Sequence, residues 1–413
     1  MQLHDIDLSD LEGFWTLPMA ERDAAFETLR REDPIRHFAE HENEFLPAGP
    51  GYYAITRHAD IIEASRHPEL FQSGKGVNVP DLPQEFNEFF GSMIAMDDPR
   101  HARLRKLVSA GFTPRMLQRN MEDVEAAAKQ IVERLRDAGP GCDFVTTCAA
   151  WLPVKIICDM MGIPESQYEF VFDMTNIILS QGDPEFVTED ENPLEAFLGA
   201  GAALAGLMDE IADHAKGKDA DDLTHALVNA EIDGDKLTRQ ELQSFFVLLC
   251  AAGNETSRNS ISWGLTYLTD NPEQKALLQS DLDRYAAGAV EEIVRLASPV
   301  IAFRRTVTRD GVQLGDKAFE EGEKVVLFYG SGNRDHDVFD DPYAFDITRD
   351  NTNQIAFGGP GPHFCLGAHL ARRQINVLYR ELLTQLPGLH ASGEPDRLRS
   401  NFINGVKHLE CAW

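Results

Sequence analysis

Cysteine is scarce in this chain. Six stand among 413 residues, at positions 142, 148, 158, 250, 365 and 411, and no two form a CxxC pair. That excludes a disulfide-stapled scaffold and a thiol-redox motif, and leaves five of the six as expected inert, buried thiols. Long apolar runs are missing as well. The nearest to a membrane span, residues 245–253, is about half of the roughly 18 residues that spanning needs, and it leads straight into Asn254-Glu255-Thr256. The opening MQLHDIDLSDLEGFWTLPM has no basic stretch before an apolar run, so neither a signal peptide nor a membrane anchor is expected, and a cytoplasmic location is. Positive charge is short too. Against 68 acidic residues stand 38 basic ones, a formal net charge of -30. Such a surface opposes nucleic-acid binding and adsorption to anionic lipid. An anionic cofactor would therefore need a local cluster of positive side chains.

Neither an internal repeat nor a low-complexity linker interrupts the sequence, and one domain over 1–413 is expected, large enough to enclose a cofactor within its core. Residues 19–31 read as a helix, and 35–56 as strand, turn and strand around 47–51. Residues 71–96, rich in Gly, Pro and Phe, read as an irregular binding loop or lid. A helical block follows to about 268. After Glu291 short apolar stretches alternate with turns, a last long helix runs over about 366–386, and 403–408 reads as hairpin strand. The fold class expected is mainly α with minor β.

Thr238 and Glu241 have capping-box spacing, and Asn271-Pro272 supplies a stop, so one helix of about 30 residues and roughly 45 Å is expected between them. Phe245, Leu249, Gly253, Thr256 and Ser260 fall on one face of it. At its centre Ala251-Ala252-Gly253 removes side-chain volume, which serves either close helix packing or a flat bound body. Next to that gap, Glu255 can relay protons and the Thr256 hydroxyl can bind a ligand or return to a backbone carbonyl. A solvated Glu255 is the plainer alternative.

Before the last helix stands GGPGPHFCLG, residues 358–367. Its glycines and prolines describe a rigid loop, and the N–H groups of Leu366 and Gly367 at the helix start would stabilise a Cys365 thiolate. A side chain at Gly367 would obstruct approach to the sulfur. On the loop alone four readings stay open: a ligand to a cofactor metal, zinc bound with His363 and His369, a nucleophile with His363 as base, or an inert thiol. It is no phosphate cradle, because Pro360 and Pro362 remove two N–H groups.

His101 and Arg105, one turn apart after Asp98-Pro99, could join Arg305 and His363 in holding two carboxylates of a cofactor, although each alone reads equally as a salt-bridge partner. Glu292 and Arg295 read as a structural ion pair with Arg334 as its third member.

Together these motifs resemble the cytochrome P450 monooxygenases: the acid–alcohol pair in a long central helix, Glu292-x-x-Arg295, the weaker Asp98-Pro-x-His101-x-x-x-Arg105, and the cysteine loop, in that order across essentially the whole chain. In the commonest pattern phenylalanine stands seven residues before the cysteine. Phe357 stands eight before, which is similar to bacterial members that oxidise steroid side chains, methyl-branched lipids and terpenoids, as are residues 254–259 and 404–408. Either Phe357 or Phe364 would shield the sulfur.

The resemblance implies the P450 fold, with haem b (iron protoporphyrin IX) held between the central helix and the cysteine loop. Cys365 would be the iron ligand and His101, Arg105, Arg305 and His363 would hold the propionates. Glu255 and Thr256 would manage protons and water during O2 activation. Phe245, Leu249, Gly253, Val300, Ile301, Ala302 and Phe402 would line a pocket for an apolar substrate. Electrons would come from a ferredoxin and its reductase, docking near Arg372, Arg373 and Arg103 or Lys106. The alternatives are a peroxide-driven oxygenase, which has no use for an acid–alcohol pair, and a haem-binding sensor or carrier without turnover.

Overall fold

The central helix begins where its sequence says it should. In the computed structural model, Thr238 Oγ1 accepts from Glu241 N at 3.2 Å and Glu241 Oε2 accepts from Thr238 N at 2.8 Å, closing the capping box. The helix runs Arg239–Asp270, about 48 Å at 1.5 Å per residue. It stops at Asn271, because Pro272 starts a new helix, Pro272–Ser280. The structure describes residues 1–42, 48–111, 114–188, 190–215, 222–231 and 234–413, without the side chains of 110–121.

Two apolar cores form along this rod. Leu242–Cys250 packs with the Trp151–Met161, Tyr168–Leu179 and Pro193–Ala215 helices. Ile261, Trp263, Leu265 and Leu268 pack with Pro114–Ala138, Leu282–Ala297 and Ala368–Gln385. Between them lies the stretch 251–260, which carries the small residues and the acid–alcohol pair. The site therefore sits where neither core fills the space.

The β structure is minor. A five-stranded sheet runs Ile35–Phe38, Tyr52–Ile55, Lys324–Phe328, Ala302–Val307, Phe71–Gln72, antiparallel except where Tyr52–Ile55 meets Lys324–Phe328. Lys324–Phe328 is buried at every position, as a central strand should be. The tail forms a short hairpin-like pairing, Val406–His408 with Asp396–Arg397, while Ile403 bridges Val300. The turn expected at 47–51 falls partly outside the described residues. The architecture is mainly α with minor β, as the sequence implies.

Residues 71–96 differ from the expected irregular loop. They contain the strand Phe71–Gln72, a helix Gln84–Gly91 and a 3-10 turn Ser92–Ala95. Phe89 and Phe90 pack against the core of the central helix, and Asn87 Nδ2 donates to the carbonyls of Lys75 and Leu82. That helix has eight residues, too short to show a period among so many glycines and prolines.

Candidate functional site

The cysteine loop closes on itself through backbone hydrogen bonds, Cys365 N to Phe357 O at 2.9 Å and Phe364 N to Gly361 O at 3.2 Å. It lies on the C-terminal end of the His58–Arg66 helix. A Cβ on Gly361 would stand 2.3 Å from the Ser65 carbonyl oxygen, so backbone meets backbone there. Gly358 takes φ +91°, open to glycine but strained for other residues. Gly367 is different: its φ is ordinary and an added Cβ would meet nothing within 4 Å. No protein packing requires glycine at 367, which leaves room beside the sulfur for a body outside the chain.

Cys365 is exposed, and Phe364 is one of only two exposed large hydrophobics among the described residues. Yet burial pushes the Cys365 thiol up, opposed by the Gly367 N–H, Arg105 and Arg372. An accessible sulfur surrounded by protein lies in a recess. Cys148, Cys158, Cys250 and Cys411 are buried, and burial raises their thiols above the usual range.

Beside the cysteine, four positive or protonatable side chains converge. The His101 and His363 rings lie 4.4 Å apart. Arg105 donates to Phe364 O at 2.7 Å, and Arg305, 5% exposed, donates to Arg304 O at 2.8 Å. Burial, then Arg305, His101 and Arg105, push the His363 pKa down to about 2. Burial and Arg105 lower His101 against the pull of Asp98, 3.5 Å away. His101 Nε2 and His363 Nδ1 are buried without a hydrogen-bond partner, although Ser73 Oγ reaches His363 Nε2 at 3.2 Å. Beyond Asp98, no acid among the described residues pairs with this cluster. The two arginines have no carboxylate partner among the described residues, and a bound anion would offset their charge. The accessible thiol, the room at Gly367 and the unpaired donors together fit haem carrying two propionates.

Across the central helix the accessible face is Leu249, Ala252, Gly253 and Thr256, with Ala252 the most exposed. Thr256 Oγ1 donates to Ala252 O at 2.7 Å, and Ser260 Oγ to Thr256 O at 2.9 Å. Ala252, absent from the residues expected to line the pocket, opens the gap. A Cβ at Gly253 would lie 2.7 Å from Ile157 Cδ1, so that glycine serves helix packing. Glu255 turns away from Thr256 into the interior, 1% exposed. Its Oε1 accepts from Arg258 and, at 2.9 Å, from Asn259, while Oε2 is buried without a partner. Arg258 is held in turn by Asn176 Oδ1 at 2.7 Å.

Phe245 is 2% exposed and packs into the core near the helix start. Ile301 and Ala302 pack with Trp15, Phe26 and Phe328. Ile301 is pinned there because its N–H donates to Phe402 O and its carbonyl accepts from Tyr329 N. Val300 and Phe402 are half-buried, and Phe402 packs on Phe303 at 5.7 Å between ring centroids. Phe357 is covered by the Arg372 guanidinium, 4.2 Å from the ring centroid.

Glu292 and Arg295, both fully buried, form a two-pronged pair at 2.7 Å in each arm. Arg334 is not its third member: it pairs with Asp23 at 3.2 Å and donates to Leu296 O. Glu292 is already saturated by Arg349, Asn351 Nδ2 and Asp346 N at 3.2, 3.0 and 3.0 Å. The expected docking cations are also engaged. Arg372 pairs with Glu291, Arg373 with Glu125, and Arg103 with Asp235 and Glu241, and Lys106 is not free either. Among the described residues, the one group of His, Cys and acids close enough to share a metal is Glu185, Asp396 and His408, which does not include Cys365.

The sequence profile of the family described as "Cytochrome P450" matches residues 202–399. The chain is 44% identical over 411 residues to the "Methyl-branched lipid omega-hydroxylase" of Mycobacterium tuberculosis (strain ATCC 25618 / H37Rv), covering 99% of this chain and 95% of that one. It is 38% identical over 365 residues to the "Steroid C26-monooxygenase" of Rhodococcus jostii (strain RHA1), covering 87% and 75%. The structure of a Mycobacterium marinum cytochrome P450, CYP268A2, in complex with pseudoionone is similar at a TM-score of 0.92 and 43% identity, over 99% of this chain and 98% of that one.

Proposed function

The chain belongs to the cytochrome P450 family of haem-thiolate monooxygenases, and we propose that it hydroxylates the apolar end of a steroid side chain, branched lipid or terpenoid, using O2 and electrons from a ferredoxin. The observation that carries this reading is the Cys365 sulfur, accessible inside a recess beside Arg105, Arg305 and two histidines with unpartnered ring nitrogens. Haem b held there supplies O2 activation and insertion of one oxygen atom into a C–H bond.

The residues of the chain do the rest. Cys365 would hold the iron as a thiolate, favoured by the Gly367 N–H and by Arg105 against the cost of burial. His101, Arg105, Arg305 and His363 would offer donors to the two propionates, whose charge would oppose the downward shift of the histidines. Thr256, on the accessible face, orients water through its hydroxyl. Glu255 is held as a carboxylate by Arg258 and Asn259, so it would relay protons toward that water only on leaving this ion pair. Leu249, Ala252, Val300 and Phe402 present little fixed charge, which suits an apolar substrate. The relatives point the same way: one is named for methyl-branched lipids, one for steroids, and one is bound to a terpenoid ketone.

The test is optical titration of the ferric holoenzyme with a 3-keto steroid bearing an intact side chain, a methyl-branched fatty acid and an acyclic terpenoid ketone. At least one should shift the iron from low to high spin with saturation. No shift with any of the three would overturn the substrate reading while leaving the haem assignment intact.

A further inference from the structure

A second cleft, about 450 Å³ with the open solvent space at its mouth included, shares no lining residue with the cysteine site. It lies between the N-terminal segment with the Met19–Glu32 helix and the segments around Ala297–Ile301 and Phe328–Arg334. Trp15, Phe26 and Phe328 give it an aromatic wall, with Trp15 and Phe328 stacked at 6.4 Å and Phe26 tilted on Phe328 at 5.2 Å. Its polar side is unusual for a chain of net charge -30. Arg22 and Arg334 line it, 6% and 7% exposed, and the only acid among the lining residues is Asp23.

Asp23 is taken by Arg334 at 3.2 Å. Arg22 has no oxygen acceptor: its guanidinium contacts Met19 Sδ and sits 5.7 Å from the Trp15 ring centroid, and its Nε is buried without a partner. Half-buried Arg397 stands close behind. It donates to the carbonyls of Thr16 and Leu17 and leaves a second buried nitrogen unpartnered. Burial, then Arg397, hold the Arg22 pKa down to about 10 against the opposing pull of Asp23.

A buried guanidinium with an unpartnered Nε and no carboxylate bonded to it is unfavourable, and its planar fork matches a carboxylate edge-on. The aromatic wall beside it matches an apolar body. We propose that this cavity is a second ligand site, separate from the haem recess, which takes a small carboxylate with an aryl or branched apolar body. Arg22 is the residue that binds the carboxylate, and Arg397 adds charge from the edge. The plainer alternative is that Arg22 covers the aromatic cluster and its Nε meets water only.

Benzoate separates the two readings. The holoenzyme is saturated with an azole that ligates the iron, which closes the catalytic recess. Melting temperature and binding heat are then followed against benzoate at constant ionic strength, with neutral benzamide as control. Expected are a saturable rise in melting temperature with benzoate and none with benzamide, an unchanged azole spectrum, and at least a tenfold weaker affinity in Arg22→Gln. Without ligand, Arg22→Gln should melt no lower than the wild type. If that variant does not fold, Arg397→Gln carries the same comparison with a severalfold loss. The proposal falls if benzoate gives no saturable effect, if benzamide matches it, if the variants bind benzoate as tightly as the wild type, or if the azole spectrum moves with binding.

Discussion

Thr256 and Glu255 are neighbours in the chain and turn to different surroundings, and that difference fixes what each substitution should do. Thr256 is accessible and its hydroxyl bonds only the Ala252 carbonyl. Thr256→Ala should therefore lose about 1 kcal/mol of stability or less, as for a single neutral hydrogen bond. Product formed per NADPH consumed should fall roughly 10²-fold, the low end of what a positioned proton donor contributes. Glu255→Ala strands the 5% exposed Arg258 in the interior and should cost about 3–5 kcal/mol besides activity. Denaturant midpoints with coupled turnover check both. Unchanged coupling in Thr256→Ala would remove that hydroxyl from the mechanism. The sequence identified this pair by residue type and spacing, but not its direction. Gly253 and Ala252 are equally small on paper. Only Ile157, almost a hundred positions earlier, makes the glycine a packing residue and leaves the alanine exposed. Arg334 and Arg349 are likewise indistinguishable until the fold brings one of them to Glu292.

Elements with strong local punctuation were legible at this level. The central helix has both its cap and its stop written beside it, Thr238 with Glu241 and Asn271 with Pro272. The Gln84–Gly91 helix has neither a long period nor a capping side chain, and its reason to form lies in the core that receives Phe89 and Phe90. Pairings between distant elements were illegible for the same reason. His408, on the strand Val406–His408, places Nδ1 2.7 Å from Asp143 and Nε2 2.8 Å from Glu185, joining three separate segments. Desolvation opposes the imidazolium, but the two carboxylates outweigh it and the pKa is raised. A raised folded-state value means that this contribution is fully present below about pH 6.5, the unfolded value, and is lost as pH rises through the folded one. At the acid end it fades as pH falls through the lowered value of Asp143, where hydrogen bonds from Leu409 N, His408 and Thr146 overcome desolvation. His408→Gln should accordingly lower the melting temperature near pH 6 and leave it unchanged near pH 9, on the reference scale. An equal loss at both would show that packing, not charge, joins the segments.

At the scale of the whole molecule, the net charge of -30 should repel an acidic electron donor everywhere except at a local positive patch. The sequence places basic residues where that patch is wanted, around the helix that follows Cys365, but the fold neutralises them: Glu125 sits on Arg373 and Glu291 on Arg372. Arg372 also covers Phe357, so reversing it would disturb the cysteine loop along with any docking. Arg373 and Glu125 are better placed for a test, since the pair is exposed enough for either member to be changed without stranding a buried charge. Glu125→Gln removes one acid and frees Arg373. If an acidic ferredoxin docks on this face, its second-order rate of reducing the substrate-bound enzyme should rise at low ionic strength. The gain should be about twofold, from roughly 0.5 kcal/mol between unit charges about 8 Å apart in water. It should vanish at about 1 M salt, where the screening length is near 3 Å. Arg373→Gln should slow the same step by a similar factor. A rate indifferent to both changes, at low salt and high, would move the electron-entry face elsewhere on the molecule while leaving the haem-thiolate chemistry untouched.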